Sequence, residues 1–101
     1  MAVVKRTERE DGIIECLIDS SNILYSEYDK SGENLKITFK SGARYLYKEV
    51  LDRDYVRFEV SESQGSVFNK TMRKYDFVKL APLDENNLSK LKEQINENKG
   101  N

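Results

Sequence analysis

The stretch Leu35-Lys36-Ile37-Thr38-Phe39-Lys40-Ser41-Gly42-Ala43-Arg44-Tyr45-Leu46-Tyr47 decides the fold. Leu35, Ile37 and Phe39 alternate with Lys36, Thr38 and Lys40, the period-2 pattern of a strand with one buried face. Ser41-Gly42 supplies a tight turn, and the chain returns from Ala43 to Val50 as a partner strand. On that partner Tyr45 and Tyr47 share a face, because side chains i and i+2 point the same way.

Upstream, Ile13 to Ile18 is apolar enough for a strand, and Asp19-Ser20-Ser21-Asn22 favours a turn. Ile23 to Tyr28 follows as another strand, closed by Asp29-Lys30-Ser31-Gly32-Glu33-Asn34, where glycine allows a positive φ. Such short connections leave no room for parallel crossovers, so an antiparallel meander of three to four strands is expected. Downstream the period changes. With Asp52 as N-cap, Leu51, Tyr55 and Phe58 recur at helical spacing, and Val56 with Val60 widens the apolar stripe. Ser63-Gln64-Gly65-Ser66 breaks this helix and opens a second, on which Phe68, Met72 and Tyr75 repeat at i, i+4 and i+7. Free backbone N–H groups at such a helix start can hold an anion. Phe77 to Leu80 reads as a returning edge strand.

Beyond Pro82, Asp84 can cap a third helix, Leu83 can staple to Leu88, and Leu88, Leu91 and Ile95 form one narrow apolar face. The fold class is therefore α+β: a small antiparallel sheet covered by two short helices, with a peripheral C-terminal helix that docks weakly or meets a partner. Residues 1–12 are expected to be a flexible N-terminus, 13–80 the domain, and 81–101 a helix fraying from Asn96 onward.

A length of 101 residues, 38% of them hydrophobic, fits one modest core. No apolar run reaches the roughly 20 residues of a membrane span, and Met1 to Asp11 lacks a signal-peptide apolar region, so the expectation is a soluble protein inside the cell with no membrane partner. Cys16 is the single cysteine, set in an apolar run, and reads as a buried thiol. The net charge is −1, but its distribution is uneven. Residues 35–75 hold nine basic and five acidic side chains, whereas residues 1–34 hold four and eight and residues 76–101 four and five. The basic middle segment is either a phosphate-binding patch or a solvated face.

With no histidine, the usual general base near neutral pH and the commonest metal ligand are both missing. One cysteine cannot build a zinc site, and Asp52 with Asp54 reads as a helix-start pair. No phosphate-loop, dinucleotide or calcium-loop pattern occurs. The expectation is a binding protein without catalytic residues, metal or cofactor.

The ordered series Asp19-Ser20-Ser21-Asn22-Ile23, Tyr28-Asp29, Leu35-x-Ile37-x-Phe39-x-Ser41-Gly42-x-x-Tyr45-x-Tyr47-x-x-Val50 and Ser63-x-Gly65-x-x-Phe68-Asn69-x-x-Met72-Arg73-x-Tyr75 resembles the KTSC domain over Asp19 to Tyr75. That family takes its name from the C-terminus of some lysyl-tRNA synthetases and also occurs as stand-alone bacterial and viral proteins. The resemblance implies a stand-alone copy, and the link to synthetases implies RNA binding.

Three readings follow. In the first, the domain binds nucleic acid or a nucleotide: Tyr45 or Tyr47 stacks on a base, Arg44, Lys70, Arg73 and Lys74 meet phosphate, and Ser63 to Ser66, with Gly65 and neighbouring Asn69, line the helix start. The alternative for the same residues is that the tyrosines pack under the helices and Phe68, Met72 and Tyr75 are core. In the second, the domain is a protein-interaction module or small viral inhibitor that acts on a host protein through its C-terminal helix or a sheet edge. In the third, it sequesters a small phosphorylated signal molecule at a subunit interface through the serine-glycine turn and Arg73. The sequence leaves the oligomeric state open.

Overall fold

In the computed structural model, which describes residues 3–61 and 64–99, the chain builds one six-stranded sheet in the order β1-β2-β3-β4-β5-β6. The strands are β1 Val3–Glu8, β2 Ile13–Ile18, β3 Ile23–Asp29, β4 Asn34–Phe39, β5 Arg44–Tyr47 and β6 Phe77–Leu80. Every neighbouring pair is antiparallel. Between β5 and β6 come α1 Asp52–Val60, α2 Gln64–Thr71 and a 3₁₀ turn Met72–Lys74; α3 Glu85–Lys99 closes the chain.

The α+β class and the meander stand, but three to four strands understates the sheet. Val3–Glu8, expected as a flexible terminus, is an edge strand. Its sequence hides this because residues 5–8 are exposed and polar, so the strand is specified mainly by backbone pairing with β2 and by Val3 and Val4 reaching the two cores. The fourth expected strand is shorter than read, ending at Tyr47, and a positive φ at Glu49 turns the chain toward α1.

Cross-strand register sorts the side chains onto two faces. Ile14, Cys16, Tyr28, Leu35, Ile37 and Tyr47 point to one face, where α1 contributes Tyr55 and Phe58 and the 3₁₀ turn contributes Met72. Tyr28 and Tyr55 stack with ring centroids 4.1 Å apart and planes 6° from parallel. The Tyr28 hydroxyl donates to the Val50 carbonyl at 2.8 Å, which ties the strand to the segment entering α1. Burial pushes the Tyr28 phenol up to about 12, so it stays a donor at any physiological pH.

The opposite face is covered by α3, which packs on β1, β2 and β3. Leu17, Leu24 and Ile95 form its buried centre, with Leu88 and Leu91 packed beside them. The stripe expected to dock weakly thus closes a second small core. Asp84 caps this helix as read, accepting from the Asn87 backbone N–H at 2.9 Å. The helix runs on to Lys99, whose ammonium lies 3.3 Å from Asp19, instead of fraying from Asn96. In α1, by contrast, Leu51 occupies the N-cap with no side-chain bond, so Asp52 is the first helical residue and not the cap. Val56 and Val60 do not widen the buried stripe, being 44% and 63% exposed.

Gly42 sits at φ 93° in the β4–β5 hairpin and its carbonyl accepts from Leu83 at 2.9 Å, so this turn also anchors the approach to α3. Ile95→Ala should lower unfolding free energy by about 2–4 kcal/mol, read by urea denaturation, because it opens a cavity under α3. A loss below about 1 kcal/mol would show α3 resting on the sheet without closing a core.

Candidate ligand surface on the β4–β6 face

Tyr45 and Tyr47 share the face that β4 presents through Phe39 and β6 through Phe77, since β5 pairs Tyr45 with Lys79 and Tyr47 with Phe77. The two tyrosines have different fates. Tyr47 is 9% exposed and belongs to the core, with its phenol raised above the ordinary value by burial. Tyr45 is only half-buried and stands between two rings, Phe39 at 5.7 Å and Phe77 at 5.5 Å, both at 80° to it. Phe68 of α2 backs the group, meeting Phe39 at 5.7 Å and Tyr47 at 5.2 Å. Edge-to-face contacts of this kind fix the positions of the rings. Phe77 is the most open of them, 57% exposed.

Two lysines, Lys40 and Lys79, lie beside the rings. Lys40 lines a depression of about 370 Å³ with Phe39, Tyr45, Ser21 and Asn22. Lys79 stands beside Tyr45 across the β5–β6 pair. On α2, Asn69 lines a cleft of about 180 Å³ with Tyr47, Phe68, Met72, Tyr75 and Phe77, while exposed Lys70, the next residue, does not line it. Among the described residues, no carboxylate lies within ion-pair distance of Lys40, Lys70 or Lys79.

Other expected members stand apart. Arg44 is on the α3 face, one residue out of phase with the tyrosines, and its Nε donates to the Ala81 carbonyl at 2.8 Å. Lys74 reaches Asp54 at 2.9 Å and lies over the Tyr75 ring at 5.4 Å, so it is held in an ion pair. Gly65 falls in the first turn of α2 and Arg73 in the 3₁₀ turn, with the Arg73 side chain outside the described residues. Ser63 lies outside the described residues altogether. Phe39, Lys40, Phe77 and Lys79 are the members the sequence reading omitted. Alternation marked Phe39, while Phe77 and Lys79 become neighbours of the tyrosines only once β6 is known to pair with β5.

Asp54, buried at 3% exposure, fixes the floor of this region. It accepts from the Tyr75 hydroxyl and from Lys74, and the Tyr75 oxygen accepts from the Leu51 backbone N–H at 3.2 Å. Accepting the Tyr75 hydrogen bond holds the Asp54 carboxyl below the usual carboxylate range, against the opposing effect of burial. Cys16 is buried as read, its thiol pushed up by burial, with Sγ 3.6 Å from the Tyr55 hydroxyl. That hydroxyl donates to Glu59 at 2.9 Å, as does Arg6 at 2.9 Å, which bridges β1 to α1. Cys16 and Tyr55 are enclosed by packing, and the chain of contacts reaches the surface through Glu59 and Arg6.

The architecture defines a small α+β domain: a six-stranded antiparallel meander with helices on both faces and an aromatic, lysine-bordered surface at one edge. The KTSC domain model matches residues 19–77, more than half of the chain, and the chain belongs to that family. A KTSC domain protein from Yersinia pestis, known from a crystal structure, is similar in fold at a TM-score of 0.60 and 26% sequence identity, over 76% of this chain and 97% of that one. No functionally curated protein matches the chain. The matched stretch includes β3, β4, β5, α1, α2 and the 3₁₀ turn, and so most of the aromatic surface.

Because the folded carboxyl of Asp54 titrates below its unfolded value, its stabilisation is present above about pH 4 and is lost as pH falls through the folded value. Asp54→Asn should therefore be about 1–3 kcal/mol less stable than the parent at pH 7. The difference should shrink as pH falls below about 4, read by denaturation at successive pH values. A constant difference would mean that the carboxylate charge carries none of the effect.

Proposed function

We propose that this domain acts by binding rather than catalysis, and that Tyr45, Phe39 and Phe77 form a stacking platform for single-stranded nucleic acid, with Lys40, Lys70 and Lys79 meeting phosphates. The observation that carries this reading is Tyr45 held edge-on between two rings, with Lys79 beside it and Lys40 at the rim. Bases of any identity offer a π-face, and backbone phosphates spaced along the strand suit lysines distributed around the rings. The shallow relief of the surface fits a strand laid across it better than a ligand enclosed in a pocket. The roster differs from the sequence expectation: Arg44 and Lys74 leave it, Tyr47 becomes a support, and Phe39, Lys40, Phe77 and Lys79 enter.

A protein partner is the second reading, favoured by the exposed valines Val56 and Val60, which lie one turn apart on α1. It predicts a site on α1, away from Tyr45.

Fluorescence anisotropy with labelled single-stranded RNA separates the cases. Tyr45→Ala should weaken binding about 5- to 100-fold if one base stacks there. Lys40→Ala should weaken it less and lower the slope of log affinity against log salt by about 0.7. Binding that survives Tyr45→Ala in a folded sample would overturn the platform, and binding by free mononucleotide alone, with no salt slope, would turn the reading to a small phosphorylated ligand.

A further inference from the structure

α3 lies over β1, β2 and β3 and leaves β4 and β5 largely uncovered, so a groove opens between the flank of the helix and the rest of the sheet. Its floor is one row of side chains. Tyr25 pairs with Thr38 across β3 and β4, and Thr38 pairs with Arg44 across β4 and β5, so the three stand side by side on the face opposite Tyr45. From α3, Lys90 and Leu91 line the other wall of a cavity of about 270 Å³. That size lies just under the range of about 300–1,000 Å³ usual for small-molecule sites.

Three donors on the lining are unused. Thr38 is 3% exposed, yet its hydroxyl makes no hydrogen bond among the described residues. A buried hydroxyl without a partner is unfavourable, and a ligand in the cavity can supply the missing acceptor. Arg44 donates through Nε to the Ala81 carbonyl at 2.8 Å, which fixes the guanidinium plane, while neither Nη has a partner among the described residues. Such a fork matches two oxygens of one carboxylate or phosphate. Exposed Lys90 likewise has no carboxylate within ion-pair distance among the described residues. Glu27, the carboxylate on the lining, is already met by Arg9 at 3.8 Å and by Lys36 at 4.0 Å. The Tyr25 ring and Leu91 add an apolar wall.

We propose that this cavity is a second binding site, for a small organic anion. Its carboxylate or phosphate head is forked by Arg44, met by Lys90 and hydrogen-bonded by Thr38, and its short carbon body rests on Tyr25 and Leu91. The site lies across the sheet from Tyr45 and does not depend on what the aromatic surface binds. Arg44, which strand alternation removes from the tyrosine face, is on this reading a ligand residue of the other face.

The test is an NMR titration of the labelled full chain with butyrate and with butyl phosphate, each to about 10 mM at constant ionic strength, with chloride as the control. Saturable amide shifts should appear at Thr38, Arg44, Lys90 and Leu91, with none at Phe68 on the far side of the sheet. Whichever probe saturates at the lower concentration identifies the head group. Thr38→Val keeps the shape of the side chain and removes the hydroxyl; it should weaken binding about 5- to 10-fold without lowering the urea midpoint. Arg44→Lys keeps the charge but loses the fork and should weaken binding about 10-fold or more. Lys90→Gln, on the exposed side of α3, should weaken it as well and serves if Thr38→Val fails to fold. Absence of saturable shifts with both probes, shifts that chloride reproduces, or binding unchanged in the folded variants overturns the proposal.

Discussion

The Tyr28–Tyr55 stack, at 4.1 Å between ring centroids, is the contact on which the rest of the molecule depends. It seats α1 on the middle of the sheet, and the Tyr28 hydroxyl bond to Val50 fixes where the chain leaves the strands to begin that helix. Once α1 is placed, Asp54 holds Tyr75 and Lys74, and that link positions the 3₁₀ turn and the end of α2. α2 then delivers Phe68 behind Tyr47 and Phe39. The exposed rings are therefore positioned by buried ones, and a surface built from the sheet inherits the rigidity of the core.

This dependence separates the packed side chains from the outward ones. Tyr47, Phe68 and Met72 are packed, and truncating them removes core volume. Tyr45, Phe39 and Phe77 stand further out, and Lys40 and Lys79 further still. Lys74 and Arg9 are held in ion pairs with Asp54 and Glu15, while Lys40 and Lys79 stand beside the rings with no carboxylate in ion-pair distance among the described residues.

Much of this was legible in the sequence where the signal is local. The alternation in β4, the Ser41-Gly42 hairpin and the Asp84 cap each follow from a few neighbouring residues, and each is where it was expected. Arg44 was also legible in principle, because strand alternation alone puts it on the face opposite Tyr45. What could not be read was non-local. β1 is polar along most of its length and is recognised only through its partner β2. Lys74 looks like a free phosphate ligand until Asp54, twenty positions earlier, is brought to it. Phe77 and Lys79 join the surface only because the chain returns after two helices to lie beside β5.

The most direct test of the central claim, that the β4–β6 face is the ligand surface, is an NMR titration of isotopically labelled protein with a short single-stranded RNA. Amide shifts should gather at Lys40, Tyr45, Phe77 and Lys79, with α3 amides at Leu88, Leu91 and Ile95 unmoved. A folded sample with no shifts, or with shifts confined to α1 or α3, would contradict it.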